Sequence, residues 1–181
     1  MENIIIVLLF VAFAVQAAPV SLGLNSSRPG IAHLAIRISI IVLMQLAMLF
    51  LGILLGNRFM FMLESDKRMV LFAGFFLLAI RYFLEVFKIR KGERTYPVNN
   101  DLDILVPSVA VSINTFLGGI LLYYVNVTRQ SALLYLFVFS LLTSLFYAFQ
   151  PFKKQSFASV SLIYFVSGII FIVISFYFAF F

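Results

Sequence analysis

Six long apolar stretches, separated by short polar joints, constrain the fold of this chain more than any other feature. A helix needs about 20 mostly apolar residues to cross the hydrocarbon core of a bilayer. Six segments meet this requirement: 3–23, 34–55, 69–88, 104–125, 131–149 and 157–180. Helices satisfy their own backbone hydrogen bonds within hydrocarbon. The sequence therefore predicts an all-α polytopic membrane protein with six transmembrane helices.

The composition excludes an ordinary soluble domain. Hydrophobic residues fill 64% of the 181 positions and charged residues 11%, whereas about a quarter of the residues of a soluble domain are charged. The apolar runs follow one another without a polar module, which predicts a single membrane domain over residues 1–181. The chain has no cysteine, so disulfides, thiolate metal sites and thiol catalysis are excluded.

The longest joint, 89–103, divides the chain into two halves, 1–88 and 104–181. Each half contains three of the apolar stretches. Two halves with three crossings each insert in opposite orientations, which is the inverted-repeat plan of many secondary transporters. We therefore expect two inverted three-helix repeats joined by a cytoplasmic loop.

The first stretch has an alternative interpretation as a signal peptide. It contains Ala-Val-Gln-Ala-Ala at 14–18, which resembles a small-residue cleavage site. A signal peptide opens with a basic region, whereas this stretch opens with Glu2, and its apolar run continues to Leu24. We therefore expect a retained transmembrane helix.

The basic residues predict an orientation, because loops rich in Lys and Arg stay in the cytoplasm. Joints one, three and five with their flanks carry eight: Arg28, Arg37, Lys88, Arg90, Lys91, Arg94, Lys153 and Lys154. The other side carries four: Arg58, Lys67, Arg68 and Arg129. We expect a bacterial inner (plasma) membrane protein with both termini outside the cytoplasm. The same placement explains the net charge of +6 without a nucleic-acid partner.

Polar side chains inside the apolar stretches are the candidate functional residues, because a polar group at bilayer depth tends to face the bundle interior or a water-filled cavity. The predicted substrate-binding residues are Gln16, Ser21, Gln45, Arg81, Glu85, Ser112, Asn114 and Thr115. A structural ion pair is the alternative for Arg81 and Glu85, which are four residues apart on one helix face. Gly52, Gly56 and Gly168 are predicted to allow close helix approach.

Two of the amides, Gln16 and Asn114, occupy matching places in the two halves. Each has a small residue five positions later, Ser21 and Gly119 respectively. Pro19 frees a backbone carbonyl and Gly118-Gly119 weakens the helix, so we expect both helices to be broken there. The inverted-repeat plan then predicts that Gln16 and Asn114 approach one another near the bilayer midplane.

Four short motifs carry a family resemblance: Gln16-x4-Ser21-x-Gly23; Gln45 with Gly52 and Gly56; Arg81-x3-Glu85; and Ser112-Ile113-Asn114-x4-Gly119. With them the chain resembles the MntP family of manganese efflux pumps, within the wider LysE-type transporter group. The resemblance implies six spans in two halves and a transport function. In that family the positions of Gln16, Gln45 and Asn114 carry acids.

The three amides are the important departure from the family. Manganese prefers hard oxygen ligands, and carboxylates offset the cost of removing its water. We therefore expect a transporter-fold protein that has lost the divalent-cation site. It would move another small solute, neutral or monovalent, or act as a non-transporting subunit of a membrane complex. The alternative is a working manganese(II) exporter that uses the amides and backbone carbonyls.

The remaining expectations concern catalysis, cofactors and partners. We expect no enzyme activity, because paired acids, a zinc motif and a Ser/His arrangement are absent. We expect no cofactor and no bound metal. The 23 Phe residues are expected to face lipid and core, although the Phe-rich last stretch could also meet a membrane-protein partner or a second copy.

Overall fold

The computed structural model describes residues 2–24, 30–93, 96, 98, 101–125, 127–151 and 153–180. Every regular element among these residues is helical and none is a strand, which confirms the all-α prediction. The α-helices are α1 (Glu2–Ala14), α2 (Ala18–Gly23), α3 (Ile31–Phe59), α4 (Lys67–Arg90), α5 (Leu105–Leu121), α6 (Arg129–Ala148) and α7 (Lys154–Phe180). Short 3₁₀ segments lie at Val15–Ala17, Met60–Asp66, Asp101–Ile104 and Leu122–Tyr124.

Among the described residues, five continuous helical stretches are long and apolar enough to cross a membrane: Asn3–Gly23, Ile31–Arg90, Asp101–Tyr124, Arg129–Ala148 and Gln155–Phe180. This is compatible with a multi-pass membrane protein. The second stretch contains both α3 and α4, joined through the segment Met60–Asp66, where Leu63 has non-helical backbone angles. The turn residues 25–29, together with Arg94, Pro97, Asn99 and Asn100, lie outside the described residues.

The first apolar stretch lies at the centre of the bundle and is interrupted near Pro19. Proline has no backbone N–H, and its ring crowds the carbonyl four residues earlier, which here belongs to Val15. The chain tightens into a 3₁₀ segment at that point, and the N–H of Ala18 donates to the Val15 carbonyl instead. From Leu9 to Leu24 the side chains are buried, apart from half-buried Val11. The stretch that resembles a signal peptide is thus part of the core.

Helices α3 and α5 run parallel with a constant register. Arg37 contacts Asp101, Gly56 contacts Ile120, and the Tyr124 hydroxyl donates to the Met60 carbonyl, each pair being 64 residues apart in the sequence. Gly52 and Gly56 make this approach possible. A Cβ on Gly52 would collide with the Phe116 carbonyl, and one on Gly56 would lie 2.6 Å from the Ile120 oxygen. Their predicted packing role is confirmed.

Helices α4 and α7 run antiparallel and pack through aromatic rings. The rings of Phe75 and Phe171 are stacked, with centroids 6.2 Å apart, and Tyr82 lies 5.2 Å from Tyr164. The packing role predicted for Gly168 is also confirmed, because a Cβ there would lie 2.9 Å from the ring of Phe83 on α4. The two helices therefore form one closely packed unit beside α1 and α2.

Candidate functional site: a buried polar hub

The 3₁₀ segment Val15–Ala17 is the point where the long helices meet, and we call it the hub. It neighbours α3, α5, α6 and α7, and α4 reaches it through Tyr82. Gln16 lies in the middle of this segment with its side chain fully buried. The break that Pro19 imposes therefore places an amide where all the other long helices can contribute groups.

Two tyrosines hold the hub through hydrogen bonds. The amide nitrogen of Gln16 donates to the Tyr82 hydroxyl at 2.7 Å, and that hydroxyl donates to the Ala12 carbonyl at 2.8 Å. The Tyr164 hydroxyl donates to the backbone carbonyl of Gln16 at 3.4 Å. Backbone carbonyls beside the helix interruption thus bond to protein hydroxyls.

Sequence reasoning missed both tyrosines. A tyrosine in an apolar stretch usually marks the membrane–water interface, so neither Tyr82 nor Tyr164 was among the polar candidates. Tyr82 is fully buried and Tyr164 nearly so. The available signal was that each places a hydroxyl in the middle of a long apolar stretch, where a buried phenol needs a hydrogen-bond partner.

Helix α5 presents a first polar face toward α3. Ser108, Ser112 and Thr115 follow a helical spacing that continues to Gly119. A Cβ on Gly119 would lie 2.7 Å from the carbonyl oxygen of Leu49 on α3, so this face meets α3. The constant register of the pair places Gln45 of α3 at the level of Ser108 and Ser112. All four polar residues are completely buried.

A second face of α5 turns toward α1 and the hub. A Cβ on Gly118 would collide with the Phe13 ring, and Asn114 lies one helical turn before Gly118. Gln16 follows Phe13 by three residues, and α1 runs antiparallel to α5. This register places Asn114 level with Gln16 and supports the expected approach of the two amides. Their approach stays a prediction.

Many polar atoms in this region are buried and have no hydrogen-bond partner within the part of the chain that the structure describes. They are Gln16 Oε1, Ser21 Oγ, both amide atoms of Gln45, Ser108 Oγ, Asn114 Oδ1, Thr115 Oγ1, Ser140 Oγ and Ser144 Oγ. Ser108 of α5 and Ser140 and Ser144 of α6 were not among the sequence candidates. Most buried polar groups in proteins are bonded, and an unbonded one costs about 1–3 kcal/mol. Stability alone therefore does not explain these side chains.

The expected break at Gly118-Gly119 does not occur. Helix α5 continues as an α-helix from Leu105 to Leu121 and tightens into a 3₁₀ segment only afterwards, at Leu122–Tyr124. The glycines make room for neighbours: Gly118 for the Phe13 ring and Gly119 for the α3 backbone. The prediction was wrong because it considered only the low helix propensity of glycine and not the close contacts between helices that glycine permits.

Arg81 and Glu85 do not join the hub. Arg81 is exposed, Glu85 is half-buried, and the inward face of α4 carries Tyr82 and Val86 instead. Glu85 Oε1 lies 3.2 Å from Lys88 Nζ, one helical turn away. The binding role predicted for Arg81 and Glu85 stays a prediction, now located at the bundle surface.

His33, Arg37 and Asp101 form a charged cluster near the start of α3. Among the described residues, no group of three His, Cys, Asp or Glu side chains could hold a metal ion. Arg37 Nε donates to Asp101 Oδ1 at 2.6 Å, and His33 Nδ1 lies 3.1 Å from Asp101 Oδ2. The contacts join the start of α3 to the entry of α5.

Comparison with protein-family models, curated proteins and solved structures finds no match to this chain. The resemblance to the MntP family therefore rests on its four motifs. Of those motifs, Gln16, Gln45 and Asn114 are buried around the hub or the adjoining α3–α5 interface, whereas Arg81 and Glu85 are not. The buried polar groups are accordingly the candidate functional groups of this chain.

Proposed function

We propose that this chain is a six-span, MntP-like transporter-fold protein that moves a small neutral polar solute across a bilayer. The observation that carries the proposal is the set of buried amide and hydroxyl atoms that have no partner among the described residues, at the centre of an otherwise apolar bundle. Polar groups inside a membrane bundle are costly and mark substrate pathways. The hub and the polar faces of α5 form the substrate site in this proposal.

The course of the chain supports six crossings. A straight helix of 60 residues, the length of Ile31–Arg90, would be about 90 Å long, three times the hydrocarbon thickness of about 30 Å. In this proposal the kink within Met60–Asp66 separates two crossings. Among the described residues, Leu24 before joint one, Val98 and Ile104 around joint three, and Ala148 before joint five belong to one hydrophobic cluster.

The helix pairings support two inverted repeats. Helix α3 packs on α5, and the first stretch, α1–α2, packs on α6. Helix α4 packs on α5, and α7 on α1–α2, while α4 pairs with α7 and α3 with α6. Exchanging α1–α2 with α5, α3 with α6 and α4 with α7 converts each of the first four pairings into another of them and leaves the α4–α7 and α3–α6 pairings unchanged. A pseudo-two-fold axis between the halves requires this exchange.

The chemistry of the site favours a neutral solute. Gln16, Gln45 and Asn114 carry no charge, so they cannot offset the dehydration of a divalent ion as carboxylates can. An amide offers both donors and acceptors, which suits a small molecule with hydroxyl or amide groups. Gln45 is the strongest candidate to hydrogen-bond the solute, because neither of its amide atoms has a hydrogen-bond partner among the described residues.

Solute flux in proteoliposomes tests the proposal. Vesicles containing the protein are mixed with small neutral solutes such as glycerol, urea or acetamide, and swelling is followed by light scattering. We expect flux of at least one solute above that of protein-free vesicles. Gln45→Leu should lower this flux about ten-fold through lost hydrogen bonds and should raise thermal stability, because it removes unpaired polar atoms from the core.

Gln130→Leu is the matched control, since Gln130 is an exposed amide at the start of α6. It should change neither flux nor stability in the way that Gln45→Leu does. Equal flux through the wild type and Gln45→Leu would overturn the role of this site. Wild-type vesicles without flux of any solute would contradict transport and favour the non-transporting subunit, which purification with co-purifying chains then tests.

A further inference from the structure

A cavity of 360 Å³ lies where α4 ends and α7 begins. Its described lining residues are Ile89, Arg90, Lys91, Gly92, Phe157 and Ala158. This volume falls in the range of ordinary ligand cavities. The cavity is distinct from the hub, and none of the predicted substrate-binding residues lines it.

The end of α4 shapes one wall of this cavity. Gly92 adopts a left-handed conformation with φ of 77°, which a residue with a side chain rarely adopts. The N–H of Gly92 donates to the Ile89 carbonyl, and the N–H of Glu93 donates to the Lys88 carbonyl. This is the Schellman arrangement, in which terminal carbonyls are already bonded. Arg90 and Lys91 therefore stand beside a capped helix end.

The lining combines a cationic rim with an apolar wall. Arg90 and Lys91 are exposed, while Ile89 is buried and Phe157 half-buried. None of the described lining residues is acidic. Of the nearby acids, Glu85 pairs with Lys88, and Glu93 is exposed beyond Gly92. The local charge is therefore complementary to an anion with an apolar part.

We infer that this cavity binds the headgroup of an anionic phospholipid. The guanidinium of Arg90 and the ammonium of Lys91 would contact the phosphate, and Phe157 and Ala158 would contact the first part of the acyl chains. Basic pockets between helices at the cytoplasmic membrane surface commonly take such headgroups. The apolar wall favours a lipid over free phosphate. The inference shares the membrane placement of the helices with the proposed function, but it does not depend on transport.

Lipid titration of the purified full-length chain in a neutral detergent tests this inference. Thermal unfolding is followed by circular dichroism at increasing phosphatidylglycerol, phosphatidylcholine or inorganic phosphate. We expect saturable stabilisation by phosphatidylglycerol alone. The double variant Arg90→Gln/Lys91→Gln should bind phosphatidylglycerol about 25-fold more weakly, since each cation near an anionic surface contributes about five-fold.

Lys67→Gln/Arg68→Gln is the matched control, because it removes the same charge from exposed residues at the opposite end of α4. It should retain wild-type binding. Ala158→Phe, which fills the cavity without changing charge, should also lose binding and serves if the charge variant does not fold. Any of three results would overturn the inference: unchanged binding by both cavity variants, an equal loss of phosphatidylglycerol binding in the control, or equal stabilisation by inorganic phosphate.

Discussion

The side-chain amide of Gln16 and the hydroxyl of Tyr82, 66 residues apart in the sequence, form a buried hydrogen bond of 2.7 Å at the centre of the bundle. The same hydroxyl donates to the backbone carbonyl of Ala12. Tyr82 of α4 therefore bonds twice to the interrupted first stretch, as an acceptor from Gln16 and as a donor to Ala12. One phenol thus satisfies two groups beside the break that Pro19 imposes.

Tyr82→Phe should destabilise the protein by about 1–3 kcal/mol, because it leaves the Gln16 amide and the Ala12 carbonyl buried without this partner. Unfolding in detergent, followed by circular dichroism, measures the change. Tyr135→Phe is the matched control, since Tyr135 is half-buried and its ring packs on Phe10. The control should stay within about 0.5 kcal/mol of the wild type. Equal stabilities of the two variants would show that the Tyr82 hydroxyl contributes nothing.

The expected approach of Gln16 and Asn114 can be tested by cross-linking, because the chain has no native cysteine. The double variant Gln16→Cys/Asn114→Cys should react with a short bifunctional thiol reagent to give an intramolecular link, seen after proteolysis between the halves. The control variant Gln16→Cys/Ile113→Cys should not form this link, since Ile113 is exposed on another face of α5. A link in the control but not in the test pair would place Asn114 away from the hub.

The distribution of basic residues predicts both termini outside the cytoplasm and the loop 89–103 inside. Paired reporters, one active only in the cytoplasm and one only outside, are fused after Arg94 and after Phe181. We expect cytoplasmic activity at Arg94 and external activity at Phe181. Cytoplasmic activity at both Arg94 and Phe181 would contradict the six-crossing proposal, since three crossings between the loop and the C-terminus place them on opposite sides.

The wild-type chain should not protect an export-deficient, manganese-sensitive host from excess manganese. Neutral amides offset the dehydration cost of a divalent ion only in part. Growth at rising manganese concentration, with membrane insertion of the protein confirmed, measures the effect. A known exporter expressed in the same host is the positive control. Protection that disappears in Gln16→Leu or Asn114→Leu would promote the manganese-exporter alternative.

Local properties of the sequence were enough to predict the helices. Apolar stretches of about 20 residues predicted the all-α fold, and their boundaries agree with the described helices to within a few residues; α3, for example, is Ile31–Phe59 against a predicted 34–55. The break before Pro19 was also predictable, because the missing N–H and the ring act on the residue's own helix. Burial of Gln16, Gln45 and Asn114 followed from the cost of exposing an amide to lipid.

The tertiary structure alone decided which groups meet. Tyr82 reaches Gln16 only because α4 packs beside the first stretch, and no local pattern encodes that pairing. Helix α5 stays intact at Gly118, and the Phe13 ring of another helix occupies the space that a side chain on Gly118 would need. Arg81 shares a helix with Tyr82 yet points away from the core. Helix formation depends on neighbouring residues in the chain, whereas a binding site depends on contacts between distant ones, which only packing determines.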